Sequence, residues 1–391
     1  MRAFTTVAVI SEYNPFHQGH ALLFAKAREA YPDCAIVSIM SGNTVQRGDF
    51  SVYDRFARAD AAVACGCELV LELPYPYSCS SSEQFARAGV RLAMEAGADV
   101  LLFGSGAESP ESLFDAVKTL KTEEFRSRLV ALSRKAPNRS FLSLREELFR
   151  EITGKELPRD GNSSLGIEYI IAAEIIGKEL GKEIKCHPIK RIGSYTATAC
   201  RGELRGAEKT SALPCDIPSA AKTVFKDKSI GGGIDSIPDL ILGILRFTAF
   251  NSDAVSKNGI REAILHAAEN AKSMEELYAA LPTATYTMAR LRRAIMDILL
   301  LPEYTETDTL KNAPPTYTVL LGANDRGFSI LSDMRKNSTV TVITKPSDTA
   351  KLSEEGKKTY ATAERVEKLF ALTLSAPTAP SELIPRFKTV K

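Results

Sequence analysis

Four short apolar runs, Val7 to Ile10, Ala35 to Met40, Leu69 to Leu73 and Val100 to Phe103, alternate with helix-forming stretches near His20 to Tyr31, Tyr53 to Ala64 and Ser82 to Ala96. Runs this short and this rich in Val, Ile and Leu read as buried strands, and strands alternating with helices fold into a parallel sheet covered by helices. The expected class is therefore α/β. A parallel sheet gathers its ligands at the carboxyl ends of its strands. The loops at those ends carry the unusual residues: His17 and His20 after the first run, Ser41 to Gly48 after the second, and Gly104-Ser105-Gly106 after the fourth.

The first loop reads Asn14-Pro15-Phe16-His17-Gln18-Gly19-His20, a Pro-bearing turn that opens into an apolar-periodic helix (Ala21, Leu23, Phe24, Ala27). The chain has 4 histidines, and two of them fall here. The first amides of a helix lack intrahelical partners and the dipole is positive there, so free N–H groups at this start, beside His17 and His20, predict a phosphate site, with Gly19 allowing close approach. The third glycine of a dinucleotide fingerprint is absent after Gly104, because Ser109 holds its place. Asn162-Ser163-Ser164 before an apolar run through Ile176 reads as a helix start with Asn162 as its cap. Ser41, Asn43, Gln46 and Arg47 are either a polar turn or part of a site, and their number and variety favour the site.

With 391 residues, 44% hydrophobic and 25% charged, the chain has the balance of a soluble protein of two or three domains. No window is long and apolar enough for a membrane span, and Met1-Arg2-Ala3-Phe4 leads into a strand, so a cytoplasmic protein with no membrane partner is expected. The 7 cysteines show no disulfide or metal-ligand spacing, and Cys65-Gly66-Cys67 reads as packing. Residues 110–157 read as a helical insertion, and a strand within Ile184 to Ile192 carries Pro188, which places it at a sheet edge or a bend. Ser229 to Asp235, with three glycines, is the linker expected between a catalytic domain (1–230) and a mainly helical second domain (231–391). A small α/β unit, Tyr317 to Leu321 and Thr339 to Ile343 around a helix near Asp325 to Lys336, closes that second domain. The formal charge is +2, yet residues 181–228 hold ten Lys/Arg against five acids, and Arg290, Arg292, Arg293, Arg386, Lys388 and Lys391 add more. Such a distribution suits either a solvated face or a phosphate-backbone footprint.

His17-Gln18-Gly19-His20 resembles the HxGH signature of the nucleotidyltransferase superfamily. The wider string Ser11 to His20, followed by Met40-Ser41-Gly42-Asn43-Thr44-Val45-Gln46-Arg47-Gly48, is similar to the bacterial tRNA(Met) cytidine acetate ligases. The likeness continues through Glu72-Leu73-Pro74-Tyr75, Phe103-Gly104, Asn162 to Tyr169 and Lys190-Arg191-Ile192-Gly193, then through Tyr286 to Leu300 and Pro314 to Pro346. It implies a Rossmann-like fold, acetate activation by ATP with Mg²⁺ to acetyl-adenylate, and acetyl transfer to N4 of the wobble cytidine of elongator tRNA(Met).

The resemblance makes His17 and His20 catalytic, through phosphate stabilisation. It makes Val7, Ala8, Val9, Ile10, Ser11, Glu12, Tyr13, Asn14, Pro15, Phe16, Gln18 and Gly19 ATP contacts, together with Gly104, Asn162, Arg191 and Ile192. Thr196 to Arg201 resembles a second phosphate-gripping motif through Thr198 and Arg201, with a shorter preceding segment than the family pattern and Cys200 in an aliphatic place. Ser41, Asn43, Gln46 and Arg47 would meet the acyl group or the base. Arg290, Arg292 and Arg293 would meet tRNA, with Leu291, Ile295 and Ile298 facing a core. Two rivals stand beside this reading: a nucleotidyltransferase acting on a small phosphorylated cofactor precursor, and a non-catalytic RNA-binding protein on the same fold. The sequence leaves the oligomeric state open.

Overall fold

The computed structural model describes residues 4–136, 139–190, 196–206, 213–250, 259–283, 285–301, 307–376 and 378–380. The four apolar runs form β1 (Thr6–Ser11), β2 (Ala35–Ser41), β5 (Leu69–Leu73) and β6 (Val100–Ser105), with a hairpin of β3 (Thr44–Val45) and β4 (Asp49–Phe50) after β2. Helices α1 (Gln18–Ala30), α2 (Arg55–Ala64) and α3 (Ser82–Glu95) connect them. The insertion is α4 (Pro110–Leu120), α5 (Glu123–Lys135) and α6 (Phe141–Thr153), after which α7 (Gly161–Leu180) leads to β7 (Lys185–Lys190). Beyond it come α8 (Ala197–Gly206), α9 (Ser219–Phe225), α10 (Pro238–Phe250), α11 (Ile260–Asn270), α12 (Met274–Ala280), α13 (Met288–Leu300) and α14 (Thr307–Asn312). Then β8 (Tyr317–Ala323), α15 (Asp325–Asn337), β9 (Thr341–Ile343) and α16 (Glu354–Thr373) complete the described chain.

The main sheet has the order β7-β6-β1-β2-β5-β8-β9, and every neighbouring pair is parallel except β5 with β8. The chain moves from β1 outward through β2 to β5, then crosses to β6 on the other side of β1. That reversal opens a crevice above the carboxyl ends of β1 and β6, the position where α/β sheets bind ligands. Pro188 lies in edge strand β7, opposite Phe103, where its missing N–H costs no central ladder bond.

Side-chain alternation along β1 sends Ala8 and Ile10 to one face and Val7 and Val9 to the other. The first face is covered by α3, α4, α7 and α15 through Phe85, Leu113, Ile167 and Ile330, and the second by α1, α2 and α9 through Phe24, Ala57 and Phe225. A third core joins α10, α11, α12 and α13 to α16 through Ile241, Ile264, Leu277, Ile295 and Phe370, and it also holds Phe50 and Tyr75.

Two expectations change. The strands read as a small end unit are β8 and β9, and they extend the main sheet, so the sheet crosses the boundary placed at residue 230. The cause is a close seat: the Asn324 amide donates to the Glu68 carbonyl (3.0 Å) and Gly327 lies against the Glu68 backbone, fixing β8 beside β5. The glycine-rich linker is instead a packed crossing. The Gly231 amide donates to Val52 O (2.8 Å) and the Gly232 amide to Thr373 O (2.8 Å), and a Cβ on Gly231 would stand 2.6 Å from Ser51 O. Cys67 packs as expected, its Sγ donating to the carbonyls of Ile36 and Leu69 at 3.4 and 3.3 Å.

A Cβ on Gly327 would collide with the Glu68 backbone, whereas one on Gly243, on the exposed face of α10, would meet nothing within 4 Å. Gly327→Ala should lower stability in urea by about 2–3 kcal/mol, and Gly243→Ala should raise it by about 0.5–1 kcal/mol.

Candidate active site

The chain leaves β1 through Glu12 and turns at Tyr13, whose φ of 44° is in the left-handed region, before a cis Asn14–Pro15 bond. Tyr13 is fully buried, its hydroxyl 2.6 Å from Ser38 Oγ, and burial holds its pKa well above the ordinary phenol value. Asn14 Oδ1 accepts from the Val52 amide at 2.7 Å. The turn is thus fixed from both sides before the histidines begin.

His17 caps α1. Its Nδ1 accepts from the Gly19 amide at 3.1 Å, and His20 Nδ1 accepts from the His17 amide at 3.1 Å, a reciprocal capping box made of two imidazoles. A neutral ring that accepts at Nδ1 carries its proton on Nε2, so each histidine presents an Nε2–H donor. The rings stack at 3.9 Å and 22°, and Tyr13 and Phe16 pack on His20 at 4.8 and 5.3 Å.

The expected free amides at this helix start are occupied. The Gln18 amide donates to Asp216 O (2.7 Å), Gly19 to His17 Nδ1, and His20 and Ala21 to His17 O (2.9 and 3.3 Å). The imidazoles have taken over the cap, and the backbone amides of the first turn are spent within the protein.

Arg58 organises the surrounding loops. Its side chain is fully buried, with Nε donating to Tyr53 O (2.9 Å), Nη1 to Glu12 O (2.5 Å) and Ser41 O (3.1 Å), and Nη2 to Gly42 O. Burial pushes its pKa down to about 10, which leaves it charged at neutral pH. One guanidinium therefore ties the carboxyl end of β1 to that of β2. The adjacent Arg55 bridges Glu72 (3.1 Å) and Glu367 on α16 (3.0 Å), and Asn43 Nδ2 donates to the same Glu367 at 2.8 Å.

The expected residues fall in three groups. Val7, Ala8, Val9 and Ile10 form the buried body of β1, so the strand reaches the crevice through Ser11 and Glu12 at its end. Pro15 and Phe16 are buried beneath the histidines. Glu12, Asn14, Gln46 and Arg201 gather at the turn that leads into His17 and His20: Glu12 Oε1 accepts from the Gln46 amide (2.8 Å), and Arg201 Nη1 donates to Asn14 O (2.8 Å) and Nη2 to Thr198 Oγ1 (3.1 Å). Burial lowers the pKa of Arg201 from its ordinary value. Gly104, near the end of β6, has open space where a Cβ would stand. Arg47 is exposed beside Gly161, and the buried Ser41 hydroxyl has no hydrogen-bond partner among the described residues.

Asn162 is not the cap of α7. Asp160 is, its carboxylate accepting from the Ser163 amide at 3.0 Å, because the charged acceptor one residue before the helix binds the amides of the first turn more strongly. Asn162 instead sits half-exposed in that first turn. Asn43 uses both ends of its amide on Arg55 and Glu367. Arg292 pairs with Asp235 and stacks on Tyr278, and Arg293 turns inward to Gln46 O (3.3 Å), leaving Arg290 exposed of the three. Arg191 and Ile192 lie outside the described residues. Sequence reasoning missed Arg55, Arg58 and Asp160. Arg58 had a visible signal, since it occupies the stripe of α2 otherwise filled by Ala57, Ala61 and Ala62.

The chain matches the family model of the HIGH nucleotidyl transferases over residues 4–382. It is 27% identical to the tRNA(Met) cytidine acetate ligase of Lactobacillus delbrueckii subsp. bulgaricus, over 95% of this chain and 97% of that protein. It is 29% identical to the protein of that name from Acetivibrio thermocellus, over 88% of each. Its fold matches that of Thermotoga maritima TmcAL bound with alpha-thio ATP, with a TM-score of 0.84 at 23% identity, covering 97% of this chain and 98% of that one.

Arg58→Met should abolish activity and cost at least about 3 kcal/mol in urea, since it strands several buried carbonyls. Burial pushes the Glu367 carboxyl up to about 7. A carboxyl with a raised folded pKa binds more protons folded than unfolded, so its contribution to stability falls as pH rises from about 4.5 to 7 and is level above. Glu367→Gln should remove that slope, of order 3 kcal/mol at most, in unfolding curves taken from pH 5 to 8.

Proposed function

From the premise that the chain belongs to the HIGH nucleotidyl transferase family, we propose that it is an ATP-dependent ligase that activates acetate as acetyl-adenylate and transfers the acetyl group to N4 of the wobble cytidine of elongator tRNA(Met). The observation that carries the chemistry is the stacked His17–His20 pair, whose Nδ1 atoms are committed to backbone amides at the switch point of the sheet. Likeness to cytidine acetate ligases along nearly the full length of both chains supports this reading over an enzyme for a small cofactor precursor.

In the first step an acetate oxygen attacks the α-phosphorus of ATP and the bond to pyrophosphate breaks in line. Charge grows on the phosphate oxygens, and the Nε2–H donors of His17 and His20, with Arg201 beside them, stabilise it from fixed positions. Glu12, the carboxylate that the β1 loop offers, would help hold a Mg²⁺ ion, which would supply neutralisation of phosphate charge. Gly104 leaves room at β6 for the nucleoside.

In the second step the cytidine amine attacks the acetyl carbonyl, the carbon–oxygen bond to AMP breaks, and the amine loses a proton. The base must first leave the anticodon-loop stack. Ser41, whose hydroxyl has no hydrogen-bond partner among the described residues, and Gln46 and Arg47 on the β2 loop would receive the acyl group and the base, and Arg290 would meet tRNA. An enzyme that draws on ATP and tRNA works in the cytoplasm, and no helix among the described residues is long and apolar enough to cross a membrane.

Purified protein should exchange pyrophosphate into ATP only when acetate is present, and His20→Ala should reduce that exchange by about 10²–10³-fold. Added tRNA should then acquire acetylcytidine. Exchange driven by a phosphorylated precursor would overturn the reading in favour of the cofactor enzyme. RNA binding without any exchange would do so in favour of a non-catalytic protein.

A further inference from the structure

The helical insertion ends in a tip that none of the chemistry above uses. From Ala131 to Arg145 the sequence holds four basic residues, Arg134, Lys135, Arg139 and Arg145, and no acidic one. At this tip Phe141 and Leu142, the first two residues of α6, are 57% and 47% exposed. Arg134 and Lys135, the last two residues of α5, are exposed as well and hold no ion pair among the described residues.

The base of the tip is fixed to α7 and the segment before it. Arg145 Nη1 meets Glu168 on α7 at 2.7 Å, and Glu146 meets Arg159 Nε at 3.3 Å. Arg159 directly precedes Asp160, the cap of α7, whose carboxylate lies against Gly106 at the end of β6. Phe141 stands four residues before Arg145, about 6 Å along the helix axis. The first turn of α6 is thus tethered, through Arg145 and Glu146, to α7 and to the segment that enters it.

We propose that this α5–α6 tip is an RNA contact, in which Phe141 stacks on an unpaired base of the tRNA while Arg134 and Lys135 meet its phosphates. The proposal rests on the tRNA-acetylating reading. Arg139 and Arg145 are paired with Glu147 and Glu168, so charge complementarity rests on the other two cations: an exposed aromatic ring beside Arg134 and Lys135, which hold no ion pair among the described residues, suits a polyanion with unstacked bases. An apolar protein partner would gain nothing from the cations. Because all of these side chains are exposed, replacing them leaves the cores intact.

The test uses the full chain with a tRNA(Met) transcript, measuring tRNA affinity, acetyl transfer and acetate-dependent pyrophosphate exchange without tRNA. Phe141→Ala should weaken tRNA binding about tenfold and Phe141→Tyr by less than about twofold, since a tyrosine ring still stacks. Arg134→Glu with Lys135→Glu should weaken binding further and make the slope of log affinity against log salt shallower by about 1–2. Exchange should stay at the parent level in all three. Parent-level tRNA binding in every variant would overturn the proposal. If the variants also turned an oligomer into a monomer in light scattering, the tip would be a contact between copies instead. Loss of the tip contact alone is read when the parent binds and acetylates tRNA and every variant does so equally well, whereas a parent that exchanges pyrophosphate but binds no tRNA would overturn the tRNA half of the proposed function together with the tip contact, and one that does neither would overturn the ligase reading whole.

Discussion

The site depends on one buried guanidinium. Two loops leave neighbouring parallel strands with carbonyls of Glu12, Ser41 and Gly42 turned toward one point, those of Ser41 and Gly42 in buried hydrogen bonds. Arg58 answers all three and adds Tyr53 O from the turn ahead of its own helix. Only arginine offers this many N–H groups in one rigid plane, and a lysine point charge could not span both strand ends. The loop that presents His17 and His20 and the loop that presents Gln46 and Arg47 are thereby set at a fixed distance, which is what a reaction catalysed by positioning demands.

The next residue but two on the same helix does the complementary work. Arg55 faces carboxylates where Arg58 faces carbonyls, and through Glu367 it ties α16, from the far end of the sequence, to the loop after β2. With α13 seated against the same loop through Arg293 and Gln46 O, the helical region supports the active-site loops directly. The two arginines explain why the sheet and the third core cannot be separated at residue 230: the crevice is built on the first and braced by the second.

The strands, the intervening helices and the histidine loop were legible from the sequence because each obeys a local rule. Runs such as Val7 to Ile10 and the apolar period of α1 require only nearest neighbours to interpret. The end unit was legible as strand, helix and strand, but its merger with the sheet was not, because antiparallel pairing of β8 with β5 joins residues some 250 positions apart by a contact between backbones. The glycines at 231–233 misled for a related reason: close packing and flexibility call for the same residue type. Asn162 was a plausible cap until Asp160, two positions earlier, supplied a charged acceptor. The histidines were identified by type and position, yet their mutual capping, which fixes where their protons sit, could be seen only in three dimensions.

The most direct test of the account is to supply acetate labelled with ¹⁸O at both oxygens, together with ATP and tRNA, and to weigh the released AMP. Attack of acetate on the α-phosphorus followed by cleavage of the acyl carbon–oxygen bond leaves one acetate oxygen in AMP, so AMP should be heavier by one ¹⁸O for each acetyl group transferred. Unlabelled AMP, or label recovered in inorganic phosphate, would contradict an acetyl-adenylate formed over the stacked histidines.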